Sequence, residues 1–221
     1  MVAVAIDGPA GAGKSTLARK IAGALDFIYV DTGALYRAVA LYFLKEGLDP
    51  TDAGAAGEAL PRIRVDIRFE AGEQQVYLNG EKVSDKIRTP EVSMQASAVS
   101  ALPCVRQFLL EQQRDMARRH NVVMDGRDIG TVVLPEAQVK IFLTASPEER
   151  ARRRFDELRE KGQDVTFEDV LRDMKQRDAQ DENRAAAPLR PAEDALLVDT
   201  TGETLEQSTA RMTALIRAHL E

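Results

Sequence analysis

The sequence predicts an α/β fold: five core strands in a mostly parallel sheet flanked by helices, with a small antiparallel β insertion and a helical lid. Three observations predict it. Short runs at residues 2–7, 27–30, 122–125, 139–143 and 195–199 are almost wholly apolar, as strands covered on both faces must be. Helical patterns lie between them, the alternation that builds an open parallel sheet. From about residue 62 the apolar period changes to two and meets an Asn79-Gly80 pair, the strongest short hairpin signal because both residues accept positive φ.

The first strand, Val2-Ala3-Val4-Ala5-Ile6-Asp7, runs into a loop at residues 8–13. Leu17, Ile21 and Leu25 then recur every fourth residue, one apolar stripe of a helix over 14–25. After the second strand, Asp31-Thr32-Gly33 opens a helix with Thr32 as the expected N-cap and Leu35, Val39, Tyr42 and Phe43 as its apolar stripe. In the insertion, Ile63, Val65, Ile67 and Phe69 alternate with Arg64, Asp66 and Arg68. The chain turns at Ala71-Gly72-Glu73, and Val76-Tyr77-Leu78 returns it. Helical patterns follow at residues 90–101, 103–119, 147–161, 167–181 and about 205–220. One domain, residues 1–221, is expected, with an inserted acceptor-binding lobe at about 60–100 and an Arg-rich lid at about 150–165.

Hydrophobic residues make up 44% and charged residues 30%, the balance of a globular chain rather than a disordered one. No segment approaches the roughly 20 apolar residues of a membrane span, and no basic leader precedes the first strand, so a cytoplasmic location is expected. The one cysteine, Cys104, excludes an internal disulfide, fits a reducing compartment and reads as a buried, inert thiol. A formal charge of −6 argues against a broadly basic surface for nucleic acid. Yet 22 of the 30 basic residues are Arg. A guanidinium grips phosphate with two parallel hydrogen bonds, so local phosphate pockets are one reading and codon bias is the other.

Gly8-Pro9-Ala10-Gly11-Ala12-Gly13-Lys14-Ser15 satisfies G-x-x-x-x-G-K-[ST] between a strand and a helix, the context a P-loop requires. Its backbone N–H groups and the following helix N-terminus would surround the phosphates of a nucleoside triphosphate. The expected binding residues are Gly8, Pro9, Ala10, Gly11, Ala12, Gly13, Lys14, Ser15 and Thr16, with Lys14 on the β- and γ-phosphates and the Ser15 hydroxyl helping to hold Mg²⁺.

P-loop chains divide into transferases, switches and motors. A guanine-reading N-K-x-D segment is missing, and Asp199-Thr200-Thr201-Gly202, though it spells D-x-x-G, reads as an ordinary turn. Three features favour a transferase. Tyr36 and Arg37 sit in the first turns of the second helix. Arg127 and Asp128 follow the third parallel strand, where ligands of open sheets gather; a structural ion pair is the alternative. Arg150, Arg153 and Arg154 share one helical face, in apparent excess over nearby acids, and Arg177, Asp181 and Arg184 share another. A solvated, salt-bridged face is the usual meaning of such patterns, but an Arg-bearing lid would serve phosphoryl transfer.

Together the Asp7-Gly8-Pro9 lead, the Asp31-Thr32-Gly33-Ala34-Leu35-Tyr36-Arg37 segment, Asp125-Gly126-Arg127-Asp128-Ile129-Gly130-Thr131, and Arg177-Asp178 with Asp181 and Asn183-Arg184 resemble the bacterial cytidylate kinases of the nucleoside monophosphate kinase family. The resemblance implies transfer from ATP, with Mg²⁺, to CMP or dCMP by a monomeric enzyme. It implies that Thr32, Arg37 and Arg127 hold the acceptor phosphate beside Tyr36, that Ser97, Arg106 and Asp128 read cytosine, and that Arg177, Asp181 and Arg184 contact its sugar and phosphate. Lys14, Arg127, Asp128 and the lid residue Arg154 would act in the transfer itself. Thr32 stands where many members carry Ser. A kinase of another small acceptor, such as UMP or dTMP, and a nucleotide-dependent switch are the competing readings.

Overall fold

The computed structural model describes residues 1–160 and 162–220. Five strands, Ala3–Asp7 (β1), Ile28–Asp31 (β2), Val122–Gly126 (β6), Val139–Thr144 (β7) and Leu196–Asp199 (β8), form one parallel sheet in the order β2-β6-β1-β7-β8. All five residues of β1 are buried because it is the central strand. Val4 and Ile6 face the helices Lys14–Leu25 (α1) and Leu205–Leu220 (α8), where they meet Leu17, Ile21, Met212 and Ile216. Ala3 and Ala5 face the other way, with Met124, Ile129 and Val133. The edge strand β8 leaves Leu197 71% exposed.

A second core surrounds Phe43 on the helix Thr32–Glu46 (α2). It is shared with Ala53–Ala59 (α3), Pro90–Val99 (α4), Pro103–Arg119 (α5) and the antiparallel sheet Val65–Glu70 (β3), Glu73–Leu78 (β4), Glu81–Lys82 (β5). Two tight turns join those strands. Ala71 and Gly72 (φ 51° and 81°) make the first, and Asn79 and Gly80 (φ 50° and 86°) the second, both in the left-handed region that matches the twist of paired strands. Gln74 fastens the small sheet to the end of β2: its Oε1 accepts from Asp31 N at 2.8 Å and its Nε2 donates to Asp31 O at 3.1 Å.

Helices Pro147–Glu160 (α6) and Phe167–Asn183 (α7) pack as a pair through Ala151, Leu158, Val170 and Met174. Ala10 of the glycine-rich loop packs against the same cluster.

Several local expectations differ from what is observed. Asp31, not Thr32, caps α2, accepting from Ala34 N at 3.0 Å; Thr32 is the first helical residue. The Asp31 carboxylate already reaches the free Ala34 N–H from one residue earlier. Helix α3 was not predicted because Ala-Gly-Ala-Ala-Gly-Glu-Ala has no apolar stripe; Asp52 starts it by accepting from Gly54 N and Ala55 N. The two-residue β5 was likewise unread. The expected end of α6 at Lys161 lies outside the described residues, α4 stops at Val99, and α7 continues to Asn183. Cys104 is half-buried against the Phe43 core rather than enclosed. Among the described residues no helix is long and apolar enough to cross a membrane.

Candidate active site

Strand β1 delivers the chain into the phosphate loop, and two glycines are required there. A Cβ on Gly8 would meet the Leu143 carbonyl oxygen at 2.0 Å, and Gly13 (φ 86°) is the left-handed residue that precedes α1. Lys14 is buried, and its Nζ donates to Pro9 O at 2.7 Å across the loop. Burial, then the neighbouring Arg127 charge, hold the Lys14 pKa well below the ordinary lysine value, a penalty that an anion in the loop would relieve. Ala12 is packed in the core, while Ser15 and Thr16 stand on the first turn of α1.

The Ser15 hydroxyl donates to Asp125 Oδ2 at 2.8 Å, and the Tyr29 hydroxyl donates to Asp125 Oδ1 at 3.0 Å. Burial and the facing Asp31 push the Asp125 carboxyl up to about 6. A hydroxyl and one carboxylate beside a phosphate cradle fit Mg²⁺, which keeps waters and takes its remaining oxygens from phosphates. No protein-only group of three acidic, His or Cys ligands forms among the described residues. Asp125 was missed as a site residue, although an apolar run ending in an acid at a strand terminus is the available signal.

Asp7 was missed as well. Its two carboxylate oxygens accept from Ile129 N and Gly130 N, each at 2.8 Å, and burial pushes its pKa up to about 6. The strand that feeds the phosphate loop therefore also fixes the π-helical turn Ile129–Val133, and with it the two residues just before, Arg127 and Asp128.

Those two residues open an arginine–carboxylate chain. Arg127 Nε donates to Asp181 Oδ2 at 2.8 Å. Arg184 lies 3.7 Å from both Asp181 and Asp128, and Arg106 pairs with Asp128, donates to Ser100 O at 3.1 Å and sits 5.5 Å over the Tyr36 ring. A cavity of about 230 Å³ opens beside Tyr36, Arg106, Gln113, Asp128 and Val132. Arg177 has a buried Nε with no hydrogen-bond partner, and its pKa is pushed down to about 10 by burial first and then by Arg127, with Arg37 and Arg154 adding to the effect. Arg127, Arg37 and Arg154 thus all lie within electrostatic reach of Arg177, and Arg127 adds its charge to Lys14.

The predicted residues do not all point into this space. The Thr32 hydroxyl is buried and donates to Asp125 O at 2.8 Å. That approach requires Gly126, where a Cβ would meet Thr32 Oγ1 at 2.8 Å and Ile129 Cδ1 at 2.6 Å. Ser97 is one step removed: Ser100 Oγ donates to its carbonyl at 2.8 Å. The three arginines of the α6 face are not free: Arg153 and Arg154 pair with acids of α6 itself, and Arg150 with an acid of α7. Arg150 is buried and donates to Asp178 Oδ2 at 2.6 Å and to Ala10 O at 3.0 Å, pinning α6 and α7 to the phosphate loop. Arg153 pairs with Glu149 at 3.1 Å and Arg154 with Glu157 at 2.8 Å. The Asp178 partner comes from another helix, where sequence spacing cannot reveal it. Asp199-Thr200-Thr201-Gly202 is a turn in which Asp199 Oδ1 accepts from Thr201 N at 2.8 Å.

A cytidylate kinase family model matches residues 4–218. A cytidylate kinase of Carboxydothermus hydrogenoformans is 53% identical over 215 residues, 96% of each chain. One of Caldicellulosiruptor bescii is 51% identical over 204 residues, 92% of this chain and 90% of that one. Among solved structures, an uncharacterized protein from Eubacterium ventriosum has a similar fold, with a TM-score of 0.53 at 12% identity over 98% of this chain and 99% of that one. With a family model matched across nearly its whole length and relatives half identical over the same span, the chain belongs to the cytidylate kinase family.

Proposed function

We propose that this chain transfers the γ-phosphoryl group of ATP to CMP or dCMP, giving the corresponding diphosphate. The observation that carries the reading is the pairing of a Lys14 phosphate cradle with the Arg37, Arg127 and Arg177 cluster at the same, C-terminal edge of β1, β2 and β6. Two sets of phosphates need such neutralisation if they are to meet. The adjoining cavity supports a pyrimidine acceptor. Arg106 can donate and Asp128 can accept, the complement of cytosine's O2 and N3 acceptors and its amino donor, and Tyr36 offers a ring face.

In this mechanism the loop amides and Lys14 orient the donor's β- and γ-phosphates. Ser15 and Asp125 would hold Mg²⁺, which would supply neutralisation of the triphosphate charge. Arg37, Arg127 and Arg177 hold the acceptor phosphate for in-line attack on the γ-phosphorus, and Arg154 on α6 adds charge from the lid side. Arg184 and Asp181 orient the acceptor sugar, with Ser97 at the edge of the base site. No side chain need act as nucleophile, because the acceptor oxygen is already anionic. The same reading makes the chain a monomer working in the cytoplasm, where its small nucleotide substrates are.

A panel of nucleoside monophosphates with ATP, read by ADP release, tests the proposal. CMP and dCMP are expected to be the preferred acceptors; a strong preference for AMP or dTMP would overturn it. A switch would instead show slow hydrolysis indifferent to CMP.

A further inference from the structure

Resting on the acceptor reading above, we propose that Arg88, carried by the inserted lobe, is a further ligand of the acceptor phosphate, held in place with Arg37 by Asp31. The two oxygens of Asp31 have separate duties. Oδ1 caps α2 through Ala34 N, while Oδ2 receives both Arg37 at 3.4 Å and Arg88 at 3.2 Å. Two guanidinium groups on one carboxylate oxygen leave a surplus positive charge at that point. It lies at the N-terminal end of a 15-residue helix, where the helix dipole is itself positive. Each guanidinium has five N–H donors, so most remain for an anion. The Arg37 guanidinium also lies over Gly33, 3.2 Å from where a Cβ would stand, and contributes to the electrostatics of Arg177. Arg88 therefore shares a carboxylate oxygen with Arg37, one of the arginines assigned to the phosphate.

Its position is prepared rather than incidental. Ile87, just before it, is fully buried in the Phe43 core, and Thr89, just after it, caps α4 by accepting from Val92 N. The backbone is therefore fixed while the side chain stays 52% exposed, against 20% for Arg37. A merely structural latch is the alternative. The lobe is already fastened by the two Gln74 hydrogen bonds to Asp31 and by its apolar core, and a half-exposed ion pair adds little to that.

Binding of CMP and of cytidine to the wild type and to Arg88→Met decides the matter, by titration calorimetry with the fold checked by circular dichroism. The Arg88→Met variant is expected to bind CMP roughly tenfold more weakly while binding cytidine as the wild type does, since a charge-assisted hydrogen bond to phosphate is lost. Arg88→Lys should fall between, and the KM for ATP should stay within about twofold. Equal CMP affinity in variant and wild type, or a parallel loss for CMP and cytidine, overturns the assignment. If the wild type itself binds CMP no more tightly than cytidine, the acceptor reading fails, and the assignment of Arg88 fails with it.

Discussion

On the proposed reading, the donor cradle and the acceptor pocket handle the same chemical group by different means. The cradle is one continuous octapeptide, with Gly8, Gly11 and Gly13 at positive φ and one buried lysine whose Nζ reaches across the loop to Pro9 O. The acceptor side gathers long side chains from α2, α5, the segment after β6, and the end of α7. There, carboxylates hold the arginines apart: Asp181 between Arg127 and Arg184, Asp128 between Arg106 and Arg184, and Asp31 between Arg37 and Arg88. A backbone cradle tolerates any triphosphate, whereas a lattice of paired charges can be tuned to one acceptor, because every unpaired member is penalised.

That contrast can be broken most sharply at Lys14. Replacing it with Ala removes the cradle's one charge and should lower turnover by about three orders of magnitude or more with the melting temperature little changed. Steady-state kinetics beside a thermal melt checks this, and near-normal turnover would remove Lys14 from the mechanism. A selective loss is expected on the other side. Arg106→Ala strips the buried Asp128 of its nearest partner and should raise the KM for CMP by roughly a hundredfold, with the KM for ATP nearly unchanged. Equal losses for both substrates would mean that Arg106 is structural.

The smallest effect concerns Asp7, the carboxylate between the two regions. Its pKa is raised from the ordinary 3.8 to about 6 by burial, so the folded protein keeps this proton at pH values where the unfolded chain has lost it. The contribution to stability is complete below about pH 4 and is lost as pH rises through about 6. Asp125 shifts in the same direction. Urea melts of Asp7→Asn at pH 4, 5, 6 and 7 should therefore show a shallower fall with pH than the wild type; identical slopes would discard the buried-proton account.

Legibility from sequence tracks the distance along the chain over which each feature is built. The octapeptide is contiguous, and its strand-to-helix context is read directly from residues 2–25. The hairpin turn at Asn79 and Gly80 is equally local, since positive φ is a property of two residues. The part played by Asp7 could not be read. Its role lies in two N–H groups more than 120 residues away, brought near because β1 and β6 are adjacent in the sheet. Arg150 misled for the same reason: its spacing with Arg153 and Arg154 suggested a free cationic face, while its partner Asp178 lies on a different helix.

The sequence by itself determined the parallel α/β order, the phosphate cradle and the abundance of guanidinium groups, because strand composition, glycine placement and residue choice act over a few neighbouring positions. Only the tertiary structure decided which arginines are pinned by carboxylates and which stand with donors to spare. Charge pairing depends on separations of a few ångströms across elements far apart in the chain, and packing alone sets those distances.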